Sequence, residues 1–392
     1  MSEHLPFALL AHCARPGCDA GAAGEAVRLA GEIRDWDRVL SRAGREGLLP
    51  LVYWTLRDRA EAMPGSARDR LRLAYLRNLG RASQVYRELE PVLASLRRAG
   101  LRAALTKGAR LAIDVYPDIA LRPFWDIDFI VHPSDWGEVR RLIVHLGFAE
   151  VSGRPEGESV PPDRPLDWMF SPYFKKGSLF LEFHAHPLGL HFPRRGEDGF
   201  WSSAGRLAVR GTEALVLPAE NELCYLCVHV QQHSYDRLIW LADIARLAGR
   251  PELDWDWICR IAGDERIRGP VFYGLHLAER LWPGSVPASP RAALRPGPVE
   301  SAGLRLLWPE AATAARREAP AWPYYMPSIF SLWERRDPVL AARTLREIFF
   351  PPRAWLASAT GVAASSPRIW WRYLERVFRP AVTAARRITG AK

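Results

Sequence analysis

Two aspartates separated by one residue, Asp126 and Asp128, stand at the start of an apolar, β-branched segment that ends at Val131. If this segment is a strand, residues i and i+2 face the same side, so both carboxylates can hold one divalent metal ion. A second short apolar segment, 179–184, is interrupted by a single acid, Glu182. Three carboxylates on neighbouring strands are the arrangement that metal-assisted phosphoryl transfer needs. The spacing therefore predicts a metal site.

Lys107 and Gly108 come between a predicted strand, 101–106, and a predicted helix, 109–116. Free backbone N–H groups and the helix dipole favour an anion at a helix start, and the lysine adds a full positive charge. The pair is thus a candidate site for a triphosphate. A plain strand-to-helix turn is the alternative interpretation.

The strand that carries Glu182 offers a second polar side chain on the same face. Glu182 alternates with Leu181 and Phe183, so it points away from them, and His184 shares its face at i+2. Glu182 is interpreted as a metal ligand or as a general base for an acceptor hydroxyl. A structural histidine that has its own hydrogen-bond partner is the more common role for a residue such as His184.

Arg122 precedes the aspartate pair, and its guanidinium can clamp a phosphate or position the aspartates. A structural salt bridge is the alternative. Further along, His229 and His233 are four residues apart, and Arg237 extends the same stripe. Histidines at this spacing can bind Zn²⁺, but the glutamate of a His-Glu-x-x-His zinc motif is missing. We therefore favour, over a metal site, a helix that lies over the cleft of the predicted triphosphate site, with His233 or Arg237 near the nucleotide.

Changes of pattern along the chain divide it into four parts. Residues 1–98 have helical periodicity, and 99–217 alternate strands and helices in the order β-α-β-α. A predicted hairpin follows, with strands at 168–175 and 178–184 joined by a turn at Lys176-Gly177. Residues 218–282 are helical again. Residues 283–392 combine a proline-rich linker, 283–298, with helical segments rich in Trp and Arg.

Composition indicates a globular protein of a reducing compartment. The chain has 392 residues, 48% of them hydrophobic, and a net charge of +10, which suits an acidic partner such as a nucleotide or RNA. Five cysteines, an odd number in a long chain, favour a reducing compartment over a disulfide framework. We expect a cytoplasmic protein, since the sequence shows neither a signal-peptide pattern nor about 18 consecutive apolar residues.

The segment 369–379 near the C-terminus is basic and amphipathic. Such a segment suits a membrane surface or an acidic partner, and peripheral membrane contact is therefore considered. Packing of this helix onto the protein body is the alternative.

Taken together, these motifs resemble the nucleotidyltransferase family proteins of the polymerase-beta superfamily, a broad and poorly characterised bacterial group. The resemblance is carried by Thr106-Lys107-Gly108, Tyr116-Pro117, Arg122, Asp126-Ile127-Asp128, Leu181-Glu182-Phe183-His184 and His229-x3-His233-x3-Arg237-Leu238-x4-Asp243. It implies an α/β (α+β) fold in which a small mixed sheet, with the acids at one edge, is flanked by helical N- and C-terminal regions.

The resemblance also implies an activity and a site. Asp126, Asp128 and Glu182 are expected to hold Mg²⁺, as two ions, and to be the catalytic residues. Lys107 and Gly108 are expected to hold an NTP. We add Arg122, His184, His233 and Arg237 to the nucleotide-binding set on the reasoning above.

The expected reaction is transfer of an NMP to a hydroxyl or phosphate of a small molecule, a peptide or a protein, with release of pyrophosphate. The alternative is a catalytically silent nucleotidyltransferase-like protein that binds a nucleotide or serves as a partner in a toxin-antitoxin or biosynthetic system. A nucleic-acid acceptor ranks third, because no RNA-binding module is recognised.

Overall fold

A computed structural model describes residues 4–17, 20–151, 172–184, 201–307 and 353–389, together with a few positions between 342 and 351. In this part of the chain, helices precede a seven-stranded sheet and follow it. The helices are α1 (His4–Ala14), α2 (Ala20–Glu32), α3 (Trp36–Glu46), α4 (Leu49–Leu56), α5 (Gly65–Arg98), α6 (Lys107–Asp114), α7 (Trp136–His145), α8 (Ala219–Gln232), α9 (Leu238–Ala248), α10 (Trp255–Asp264), α11 (Arg268–Leu281), α12 (Ala288–Ala293), α13 (Pro298–Leu307), α14 (Arg353–Thr360) and α15 (Arg368–Thr389).

Local sequence signals explain where several helices begin and end. The Asp35 carboxylate accepts the backbone N–H of Arg38 at the start of α3, and Gly47 ends that helix in the left-handed conformation at φ 74°. Asp254 caps α10 in the same manner. The long helix α5 buries residues spaced by three and four positions, including Ala82, Val85 and Leu89, as its periodicity predicts.

The sheet is mixed, with strand order β3-β4-β5-β2-β1-β7-β6. Its strands are β1 (Ala103–Thr106), β2 (Ile127–Val131), β3 (Ala149–Val151), β4 (Tyr173–Lys176), β5 (Leu179–His184), β6 (Gly205–Val209) and β7 (Thr212–Val216). The central strand β2 pairs antiparallel with β1 and parallel with β5. The architecture is therefore of the α+β class with a mixed sheet, as the sequence predicts.

The two faces of the sheet contribute to two different hydrophobic cores. Ile127, Phe129 and Phe183 belong to a core shared with α5 and α7. The opposite face carries Ala104 and Ile130, which join a larger core made with the N-terminal helices and the helices after residue 217. Polar residues of β2 and β5 with the parity of Ile130 therefore face the helical layer that contains α8.

The structure differs from the sequence interpretation at three places. Strands β6 and β7 were not predicted, although they form a hairpin and β7 pairs parallel with β1. Asp128 and Glu182 lie on the inner strands β2 and β5 rather than at an edge of the sheet, because β4 and β3 extend the sheet beyond β5. The predicted linker 283–298 contains α12, and its Val286 and Leu294 are buried in the larger core.

The predicted hairpin around Lys176-Gly177 is confirmed as β4 and β5, with Gly177 in the left-handed conformation at φ 57°. The first strand was predicted to begin at 168, which is outside the described residues. Among the described helices, none has the length and apolar character that crossing a bilayer requires.

Candidate functional site

The parallel pairing of β2 and β5 brings two acids side by side. Asp128 lies opposite Glu182 in register, and His184 follows two residues later on the same face of β5. One ligand atom from each of these three residues lies within 4.8 Å of the other two. We call Asp128, Glu182 and His184 the acid cluster.

Lys107 inserts its ammonium group into the acid cluster. Its Nζ donates a hydrogen bond of 2.7 Å to Asp128 Oδ1 and lies 3.3 Å from His184 Nε2. The same imidazole nitrogen is 2.9 Å from Asp128 Oδ1 and 3.4 Å from Glu182 Oε2. The ring of Tyr225, on α8, lies under the ammonium at 5.3 Å. The chain thus supplies one cation of its own to this pair of acids.

Burial and mutual charge set the ionisation of the acid cluster. Burial opposes the charge of Lys107, but the neighbouring Asp128 and Glu182 hold the pKa of the ammonium above its ordinary value. Burial likewise opposes the charge of Asp128. Because the charges and hydrogen bonds of Lys107 and His184 outweigh the effect of burial, the pKa of this carboxyl is lowered. The pKa of His184 is raised, because Glu182 and Asp128 outweigh burial and the nearby lysine. The ion pair is therefore charged at neutral pH.

Asp126 lies beside the acid cluster but is not among its three convergent groups. It comes directly before β2, where the backbone is not yet paired in the sheet. Burial raises the pKa of Asp126 to about 6, and the charges of Asp128 and Glu182 add to the shift. On the other side of β5, Tyr173 of β4 lies opposite Glu182 in the strand register. Asp126 thus contributes its charge to this site from outside the three-residue cluster.

The Lys107 turn is held by a buried acid on α8. Lys107 has left-handed backbone geometry, φ 51°, which is uncommon for a residue other than glycine. Its N–H donates to Glu222 Oε1 at 2.7 Å, and the Thr106 hydroxyl donates to both oxygens of this carboxylate. Arg110 forms an ion pair with Glu222 at 3.0 Å. The backbone N–H of Lys107, which was expected to be free to bind a phosphate, is therefore already bonded to a carboxylate of the protein.

Gly108 is required by packing. A Cβ at this position would lie 2.6 Å from the Cβ of Phe124, a buried residue of the loop before β2. Real Cβ atoms essentially never approach so closely. The glycine therefore lets the start of α6 pack against the loop that carries Asp126.

Arg122 is committed to a structural ion pair, one of the alternatives open from its sequence. Its guanidinium binds both oxygens of Asp243 on α9, with Nη2 to Oδ2 at 2.8 Å and Nε to Oδ1 at 3.0 Å. Tyr116 also donates to Asp243 at 2.7 Å. Both members of the ion pair are buried. Arg122 thus anchors the loop before the aspartates instead of presenting a free guanidinium.

His233 and Arg237 are not on one continuous helical stripe. Helix α8 ends at Gln232, and Ser234 and Tyr235 both have positive φ values before α9 begins. The rings of His229 and His233 are 4.5 Å apart, and each lies 5.3 Å from Trp240, while exposed Arg237 lies over Trp240 at 5.2 Å. Burial lowers the pKa of both histidines, with Lys107 adding to the shift.

Sequence reasoning missed Glu222 and gave no role to Tyr225 or Asp243 in the site. The available signal was the character of α8, since an acid in a helix that is apolar on most sides must be buried and paired. Cys224 and Cys227 of the same helix are buried free thiols.

Comparison with known proteins places these residues in a family. Searches of curated proteins and of solved structures gave no match. The model of a family described as uncharacterised nucleotidyltransferase matches residues 32–283, which is more than half of the chain and includes every residue of the acid cluster. The chain therefore belongs to this nucleotidyltransferase family.

Proposed function

We propose that the protein is a Mg²⁺-dependent nucleotidyltransferase that moves an NMP from an NTP to a hydroxyl or phosphate of a small molecule, a peptide or a protein, releasing pyrophosphate. The observation that carries this proposal is the in-register pair Asp128 and Glu182, with His184 on the same face. Family membership supports the reaction class.

The donor groups of the acid cluster fit a divalent cation. Two carboxylates and an imidazole within 4.8 Å are a suitable partial ligand set for Mg²⁺ or Mn²⁺. Asp128, Glu182 and His184 would hold the ion, and Asp126 would add its charge beside them. When bound, the ion supplies neutralisation of phosphate charge.

The remaining residues would bind and orient the nucleotide. The Lys107 ammonium lies beside Asp128, a proposed ligand of the ion, so it would be close enough to pair with the oxygens of a phosphate bound there. His233 and exposed Arg237 would contact the nucleotide from the side of α8. Arg122 would act indirectly, by holding the loop before Asp126 through Asp243. Glu182 would serve as a ligand or accept the proton of the attacking hydroxyl.

Calorimetric titration of each NTP with Mg²⁺ tests the nucleotide site. We expect binding to the wild-type protein that depends on the metal and is lost in Asp128→Asn. Glu138→Gln, at an exposed acid on α7, is the matched control and should bind as the wild type does. The preferred NTP, labelled at the α-phosphate, then serves to find the acceptor. Absence of binding to any NTP in the wild type would contradict the proposal.

A second candidate function is a nucleotide-binding protein without transferase activity. The observation in its favour is the internal charge compensation: Lys107 already pairs with Asp128, and Glu222 already occupies the N–H of the Lys107 turn. NTP binding that needs no metal and survives Asp128→Asn would favour this second function over the first.

A further inference from the structure

The C-terminal helix α15 presents large apolar side chains to solvent. Trp371 is 63% exposed and Phe378 is 60% exposed, and Trp370 and Leu374 are also exposed. Trp371, Leu374 and Phe378 follow at intervals of three and four residues, so they lie along one side of the helix. We call Trp371, Leu374 and Phe378 the apolar face. Contiguous exposed apolar groups of this kind mark an interaction surface.

The opposite side of α15 already has its partner. Ile369 and Tyr373 are buried against Leu356 of α14. The Tyr373 hydroxyl donates to the carbonyl of Pro351 at 2.6 Å, and the Arg353 guanidinium lies over the ring of Trp370 at 4.4 Å. Since these contacts orient the helix, they leave the apolar face directed away from α14.

The charge of this region indicates the kind of partner. Residues 353–392 contain eight arginines and lysines and a single acid, Glu375, so they hold a net charge of +7 out of the chain's +10. Arg372 and Arg376 come between the residues of the apolar face, and Arg372 forms an ion pair with Glu375. The positive charge is therefore concentrated in the same C-terminal segment as the exposed tryptophans, and the complementary surface is anionic.

We propose that α15 binds the surface of an anionic lipid membrane. The apolar face would insert at the boundary between headgroups and acyl chains, and the arginines of the same helix would contact the lipid phosphates. Tryptophan and phenylalanine are suited to this boundary because their rings have large apolar area. A nucleic acid would also meet the charge, but it gives no reason for Leu374 and Phe378 to be exposed.

Co-sedimentation of the full-length protein with vesicles tests this proposal. We expect binding to phosphatidylcholine vesicles that contain about one third phosphatidylglycerol and weak binding to pure phosphatidylcholine, at about 0.15 M salt. The double variant Trp371→Glu/Phe378→Glu should weaken binding by about tenfold or more. The matched control is Leu73→Glu/Leu76→Glu, which changes two exposed leucines of α5 and should bind as the wild type does.

Three results would overturn the proposal. The first is no binding of the wild type to anionic vesicles, and the second is an equal loss of vesicle binding in the α15 and α5 double variants. The third is tight binding to single-stranded RNA, retained by the α15 double variant, together with no binding to vesicles. If the glutamate variant does not fold, Arg372→Gln/Arg376→Gln replaces it. This variant should lose the preference for anionic over neutral vesicles. Unchanged preference would then contradict the role of charge.

Discussion

The carboxylate of Glu222 accepts a hydrogen bond of 2.7 Å from the backbone N–H of Lys107. This contact joins α8 to the turn between β1 and α6, and the side chain of the same lysine reaches Asp128. Helix α8 therefore holds in place the backbone of the lysine whose ammonium group pairs with the acid cluster.

Glu222→Gln should lower the free energy of unfolding by about 3 kcal/mol. The change removes the charge that Arg110 faces in a site where both side chains are buried, and a buried charge without its partner is costly. Urea unfolding followed by circular dichroism measures the difference. Glu213→Gln is the control, because its ion pair with Arg97 is half-exposed and should change stability by less than about 1 kcal/mol. Similar small losses in both variants would contradict this account of Glu222.

Gly108→Ala should destabilise the protein by about 1 to 3 kcal/mol, since the new Cβ would overlap the Cβ of Phe124 and force the backbone to shift. Gly80→Ala, inside α5, is the matched control. A Cβ there has no atom within 4 Å, so alanine should stabilise the helix by about 0.5 to 1 kcal/mol. Thermal unfolding of the two variants should move in opposite directions. A neutral effect at Gly108 would mean that the loop before β2 yields easily.

The acid cluster is the part of the site that local sequence patterns reveal best. The two-residue period of a strand predicts that Glu182 and His184 share a face, and the structure places them so. Asp126 and Asp128 have the same spacing, but pairing of β2 with its neighbours begins only at Ile127, and the three convergent groups include His184 instead of Asp126. Strand parity therefore identified the shared faces, and the predicted ligand set Asp126, Asp128 and Glu182 stays a prediction.

The contacts between distant segments could not be predicted from local patterns. Glu222 and Lys107 are 115 residues apart, and Arg122 and Asp243 are 121 apart. Neither pair leaves a periodic signal, because each depends on how α8 and α9 dock on the sheet. The missed hairpin of β6 and β7 is different, since its turn at Arg210-Gly211 between two short alternating segments was a readable signal.

Lys107→Met should strengthen the binding of Mn²⁺ to the nucleotide-free protein. In the wild type the ammonium group is 2.7 Å from Asp128 Oδ1, so an ion that uses this oxygen competes with it. Calorimetry or electron paramagnetic resonance measures the affinity directly. Lys175→Met, at an exposed lysine on the neighbouring strand β4, is the control and should leave the affinity unchanged. Weaker Mn²⁺ binding in Lys107→Met would show that the lysine supports the ion site instead of competing for it.

Asp126→Asn should stabilise the protein, by an amount that grows with pH. Burial raises the pKa of Asp126 to about 6 in the folded state, whereas the pKa of an aspartate in the unfolded chain is about 3.9. Below the unfolded pKa the carboxyl is protonated in both states. As pH rises through the folded pKa, the native state loses the stability that the neutral carboxyl provides, and the full difference of about 1 to 2 kcal/mol, after allowance for partial exposure, is present above about pH 6.

Asparagine does not ionise, so the advantage of the variant should be small at low pH and largest at neutral pH. Urea unfolding of both proteins in metal-free buffer on either side of this range measures the change, and an advantage that is equal at both pH values would contradict the raised pKa.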